Sequence, residues 1–97
     1  MNSRHLYIKV KMSEAKVIFN FEGVNMTIQC TKEEKMKDIC QRYGTKIQRN
    51  INTLLFLYGG NKLNLELRFE EQASSIDKSN RVMKVLVYIS CFFYLLY

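Results

Sequence analysis

Proline and tryptophan are absent from the 97 residues, and histidine occurs once, as His5. Without proline there is no proline-rich linker and no polyproline ligand. A single imidazole cannot form a catalytic histidine pair or a histidine-rich metal site. The three cysteines, Cys30, Cys40 and Cys91, are odd in number and lack CxxC spacing. That argues against a disulfide framework or a zinc site, and fits reduced thiols in an intracellular protein, cytoplasmic or nuclear. Asp38, Asp77 and the glutamates show no metal-ligand spacing, so neither metal nor cofactor is expected. Glycine occurs four times, and Gly59-Gly60-Asn61-Lys62 lacks the flanking spacing of a phosphate loop. Residues 1–5 lead into a mixed stretch, not the apolar core of a secretory signal.

What is present is globular. The chain is 47% hydrophobic and 25% charged, which suits one domain with a real core of modest stability. Fifteen basic against nine acidic residues give a net charge of +6. The basic residues are scattered from Arg4 to Lys84 without a dense cluster, so a solvated surface is expected. Residues 85–97 are apolar apart from Ser90. A membrane-spanning helix needs about 20 residues, and the β-branched and aromatic content favours strand. A buried last strand followed by an apolar tail is therefore expected over a membrane anchor.

Two periodicities alternate along the chain. Residues 6–12 (LYIKVKM) alternate in polarity and suit an arm or an extra strand. Residues 16–21 (KVIFNF) read as a strand with Val17, Phe19 and Phe21 on one face. Residues 22–25 supply a turn around Gly23, and residues 26–30 (MTIQC) alternate again, completing a hairpin. The period then changes to helical. Thr31 is the expected N-cap, and Met36, Ile39, Cys40, Tyr43 and Ile47 form one apolar stripe. Gly44 weakens that helix near its end. Residues 54–58 (LLFLY) form a short strand closed by Gly59-Gly60-Asn61, with brief strand resuming at Lys62-Leu63. Leu65, Leu67 and Phe69 pack from a loop or short strand. Residues 72–80 are polar, with Ile76 as the expected anchor. Residues 82–89 are the last and most apolar strand, with Met83, Val85 and Val87 on one face. That apolarity suits a central position, parallel to the first strand, with the helix as crossover. The fold class is α+β, a β-grasp with a mixed four- to five-stranded sheet and one helix on one face. The expected core is Val17, Phe19, Met26, Ile28, Met36, Ile39, Tyr43, Phe56, Leu67, Met83 and Val85.

Leu55-Phe56-Leu57-Tyr58-Gly59-Gly60-Asn61-Lys62-Leu63 resembles the third strand and following turn of the ubiquitin superfamily. Met83-Lys84-Val85-Leu86-Val87 resembles its final strand. The resemblance covers roughly residues 15–89 and divides the chain into an arm or extra strand (1–14), a ubiquitin-like domain (15–89) and an apolar tail (90–97). It implies a recognition patch on the exposed sheet face. Leu57 and Leu86 match the two central patch residues, Lys84 sits where ubiquitin has a histidine, and Val24 approximates the loop leucine. A second mode, strand addition beside residues 26–30 with Lys35, Arg42 or Lys46 nearby, belongs to the small ubiquitin-related modifiers. One departure stands out. No Gly-Gly follows the last strand, so conjugation through this C-terminus is not expected.

The functional expectation is a non-catalytic protein-binding module, with protein partners such as those of the ubiquitin pathway and no small-molecule substrate. Cys40 and Cys30 read as core. Cys91 is the best candidate for a reactive thiol but has no base placed for it. The alternatives are a basic nucleic-acid-binding domain, using Tyr7, Tyr43 and Tyr58, or a ubiquitin-like protein tethered to a membrane by its tail.

Overall fold

The computed structural model describes residues 13–90. The expected arm and all of the tail after Ser90 lie outside the described residues, apart from Ser13 and Glu14. The elements run β1 (Glu14–Phe21), β2 (Val24–Thr31), α1 (Met36–Ile47), a 3-10 turn (Ile51–Thr53), β3 (Leu54–Tyr58), β4 (Asn61–Lys62), α2 (Phe69–Gln72), α3 (Ser75–Asn80) and β5 (Val82–Ile89). The sheet order is β2-β1-β5-β3-β4. β5 is central, as its apolar run implies, and lies parallel to β1 with Val17 beside Met83 and Phe19 beside Val85. β2 is antiparallel to β1, and β3 is antiparallel to β5. One principal helix on one face of this mixed sheet is the β-grasp arrangement.

The core is an aromatic cluster joining three elements. The Phe19 ring of β1 stacks on Tyr43 of α1 at 4.2 Å. Phe56 of β3 meets both rings edge-on, at 5.8 Å and 6.3 Å. Val17, Met36, Ile39, Phe69 and Met83 complete it, all fully buried. Two expected core residues, Met26 and Leu67, are only half-buried. Met26 flanks the core near the turn end of the hairpin, opposite Phe19. At Leu67 it is the backbone that faces the helix, its carbonyl accepting from Met36 N–H at 2.8 Å.

That last bond explains a difference at the start of α1. Thr31 is the final residue of β2 and not the helix cap. The N-cap is Lys35, which makes no side-chain cap bond. The first free N–H groups of a helix need acceptors. Here the Leu67 and Leu65 carbonyls supply them, taking Met36 and Lys37 N–H. Segment 32–35 is tied to the same stretch: Glu34 and Lys32 carbonyls accept from Phe69 and Glu70 N–H.

The β1–β2 turn is also shorter than its composition suggests. Glu22 and Gly23 both have positive φ, 54° and 83°, as a two-residue type I′ hairpin requires. Val24 and Asn25 are therefore already strand. Ile76 is 72% exposed and is not the anchor of residues 72–80, which are held by polar bonds instead. Tyr58 OH donates to Asp77 Oδ2 at 2.6 Å and accepts from Ser74 N–H at 2.8 Å.

Gly44 is buried where the chain leaves α1. A Cβ there would stand 2.6 Å from Ile51 Cγ2 and 2.8 Å from the Arg49 carbonyl oxygen. Alanine is favoured over glycine in a helix interior by about 1 kcal/mol, yet the Arg49 contact is backbone and cannot rotate away. Gly44→Ala is expected to destabilise by about 1–3 kcal/mol, read as a lower urea midpoint. An unchanged or raised midpoint would mean that this helix end shifts freely.

Candidate protein-binding face

Alternation divides the sheet into two sides. Phe56, Met83, Val85 and Val87 are buried towards α1. Their neighbours Leu55, Leu57, Lys84, Leu86 and Tyr88 therefore take the outer side. Register sets these residues in two adjacent cross-strand pairs, Leu57 with Leu86 and Leu55 with Tyr88. Leu86 and Tyr88 are each 48% exposed, and Leu55 and Leu57 are half-buried. Across β5, Leu86 neighbours Asn20 and Lys84 neighbours Ile18. On the other flank Leu57 neighbours Lys62 of β4. The result is an aliphatic centre with one tyrosine and a lysine on each side.

Three of the four expected site residues share this face: Leu57, Leu86 and Lys84. Val24 does not. It is 65% exposed but pairs with Phe21 at the hairpin end, in phase with Met26, Ile28 and Cys30, which face the helix. The tight two-residue turn is the cause, since it leaves no loop residue to reach round to the outer side. Tyr88, Leu55 and Ile18 were missed as members of the face. Extending the same alternation by one step from Leu86 and Leu57 would have found the first two.

A shallow recess of about 370 Å³ lies on this face beside Lys84, lined by Ile18, Asn20, Asn25 and Leu86 among others. Asn20 Nδ2 donates to Asn25 Oδ1 across its rim at 2.7 Å. A larger cleft of about 540 Å³ adjoins Leu86 and Tyr88, where β5 runs past the end of β1 to the hairpin turn.

The structure of this chain is similar to the ubiquitin-like domain of Arabidopsis thaliana protein At2g32350, with a TM-score of 0.65 and 13% identity over 79% of this chain and 78% of that one. Caldiarchaeum subterraneum ubiquitin aligns with a TM-score of 0.64 and 9% identity, over 78% and 92%. The fold is ubiquitin-like. A chain of the pParkin–pUb–UbcH7 complex aligns with a TM-score of 0.66 and 8% identity, over 80% of this chain but 23% of that chain. No family model matches the sequence, and no curated protein does.

The second ubiquitin-related mode, strand addition at β2, meets an obstacle. β2 is a sheet edge, but Arg42 folds over it. Its Nη2 donates to the Gln29 carbonyl at 2.9 Å and its Nη1 to Glu34 Oε1 at 2.6 Å. Glu34 Oε2 accepts from Thr31 N–H at 2.8 Å. Burial alone would raise the Glu34 carboxyl, but the Arg42 and Thr31 bonds outweigh it and hold the group below its usual range. The interaction therefore stabilises at neutral pH and is lost as pH falls through that depressed value. Both side chains are partly exposed, so its worth is at most about 1 kcal/mol. Lys35 pairs with Glu66 at 4.0 Å. Two of the three basic residues expected at that edge are thus engaged within the molecule.

The tyrosines expected for nucleic acid are placed otherwise. Tyr43 is buried in the core and Tyr58 is bonded to Asp77. Tyr7 and Cys91 lie outside the described residues. Among the described residues no three His, Cys, Asp or Glu side chains gather to hold a metal, and no helix is long and apolar enough to cross a membrane.

Cys30 and Cys40 are buried free thiols. Burial pushes Cys40 up to about 12. Cys30 also rises to about 12, through burial first and Glu34 second, against a lowering by Arg42. The thiolate is the reactive form, so at pH 8 both should resist iodoacetamide in the native protein. Mass spectrometry of the peptides carrying each cysteine checks this: no adduct before unfolding in guanidinium, full adduct after. Rapid native alkylation at either position would contradict the packing described.

Proposed function

We infer that this ubiquitin-like domain is a non-catalytic protein-binding module whose contact face is the outer side of the sheet, centred on Leu57 and Leu86. The observation that carries the reading is the exposure of Leu86 and Tyr88 beside their cross-strand partners Leu57 and Leu55. Large apolar side chains contiguous on a solvent-facing sheet surface mark interaction sites more often than they mark chance. The buried thiols, each pushed up to about 12, favour recognition over nucleophilic catalysis. Free Cys30 and Cys40 fit a reducing compartment, cytoplasm or nucleus.

The similarity to a chain within the pParkin–pUb–UbcH7 complex suggests that partners belong to the ubiquitin pathway. In this reading the domain serves as a surface to be read by a partner.

The test uses Leu86→Lys and Leu57→Lys, with amide spectra confirming that each variant folds. Burying one such side chain contributes about 1.5–3 kcal/mol, so each variant should weaken partner binding roughly 10- to 100-fold. Quantitative mass spectrometry of proteins retained by wild type and by each variant reads this out. A partner set lost with both variants supports the face. Identical sets from wild type and both folded variants would refute it.

A further inference from the structure

We propose that the cleft at the end of β1 is the seat of this chain's own apolar segment, residues 91–97, which lays its aromatic side chains against Phe21, Tyr88 and Ile89. This goes beyond the contact face. It gives the cleft beside that face an occupant and makes the segment part of the fold.

The sheet is incomplete at this place. β1 pairs with β5 only as far as Phe21 opposite Val87. β5 runs on, and β3 follows it, with Leu55 beside Tyr88 and Leu54 beside Ile89. Among the described residues, no strand lies beside Tyr88 and Ile89 on the side that β1 has left. The turn at Glu22 and Gly23 takes the chain back along β1 as β2, and the cleft of about 540 Å³ remains. Phe21 and Ile89 in its wall are half-buried and Tyr88 is exposed. Glu22 is the one charged residue of its lining. The space over Gly23 is open, since a Cβ there would meet nothing within 4 Å. A cavity of this size lies within the range of about 300–1,000 Å³ that holds a ligand, and apolar lining is usual for one.

Connectivity and composition select the occupant. Residues 91–97 carry no charge and four aromatic rings, at Phe92, Phe93, Tyr94 and Tyr97. They follow Ser90 directly, and Ile89 is itself a wall of the cleft, so no linker separates segment from seat. At Ser90 the chain has already left the extended line of β5 for a 3-10 turn. A reversal through about two or three residues, as in a tight hairpin, brings Phe92, Phe93 and Tyr94 back alongside Tyr88 and Ile89. A tether this short presents the rings at an effective concentration in the millimolar range or above, an advantage that no free partner has. The seat lies past the Asn20–Leu86 pair, so the Leu57–Leu86 centre stays open.

The experiment compares the full chain with its Phe92→Ser/Phe93→Ser variant by NMR. In the wild type, ring protons of residues 92–97 should show nuclear Overhauser contacts to the Ile89 methyls and the Gly23 α-protons. The variant should lose those contacts and shift the amides of Phe21, Gly23, Tyr88 and Ile89, while the amides of Ile39 and Tyr43 stay in place and report an intact core. Mixed labelled and unlabelled chains separate contacts within one copy from contacts between copies. Absence of the contacts in the wild type would overturn the proposal, whatever the variant does. Contacts seen only between copies would overturn it too, and give the cleft to the segment of a second copy. Loss of the contacts on adding phosphatidylcholine vesicles, with wild type but not the variant sedimenting with them, would give the segment to a lipid surface instead. None of these readouts uses partner binding, so each outcome leaves the reading of the outer face to its own test.

Discussion

The stack of Phe19 on Tyr43, with Phe56 edge-on to both rings, is the contact on which the rest of the molecule depends. It joins the first strand, the helix and the third strand, elements that are distant in sequence. Truncating a buried ring of this kind costs about 3–5 kcal/mol, a large share of the stability of so small a domain. Once these rings face inward, alternation decides the remainder. β5 fills the space between β1 and β3, and its inward residues Met83, Val85 and Val87 close the core. Every intervening residue of β3 and β5 is then turned to the opposite side.

The apolar outer face is thus a consequence of the core combined with an unusual choice of residues. A sheet covered on one side ordinarily reads hydrophobic-in and polar-out. Here β2 obeys that rule with Thr27 and Gln29, and β1 does so with Lys16 and Asn20 apart from Ile18, whereas β3 and β5 break it with Leu55, Leu57, Leu86 and Tyr88. Breaking it in two neighbouring strands creates one contiguous surface. The edge strand β2 is treated in the opposite way, with Arg42 folded over the Gln29 carbonyl, so partner pairing is discouraged where it is geometrically easiest.

What was legible in the sequence was whatever depends on periodicity. Strand order, the central last strand and the helix stripe all followed from spacing, as did the shared face of Leu57, Lys84 and Leu86. What escaped was decided by bonds between distant segments. Thr31 looked like a helix cap, but Leu65 and Leu67 do that work from the far side of β4. Ile76 looked like an anchor because it is the apolar residue of a polar stretch, yet the Tyr58 hydroxyl holds that stretch through Asp77 and Ser74. Val24 was placed by analogy with a longer loop, and the positive φ of both Glu22 and Gly23 puts it in the strand instead. Gly44 read as a weakness of the helix, and its necessity shows only once Arg49 and Ile51 are seen against it.

The central claim is that the core forces an aliphatic face into solvent. Solvent paramagnetic relaxation, measured on methyl groups with a soluble gadolinium complex, tests it most directly. The Leu86 methyls should broaden strongly and those of Leu57 to an intermediate degree, while Ile39, Val17 and Val85 stay sharp. Leu86 methyls as protected as those of Val85 would mean that the face is covered in solution, and the account of it as a contact surface would fail.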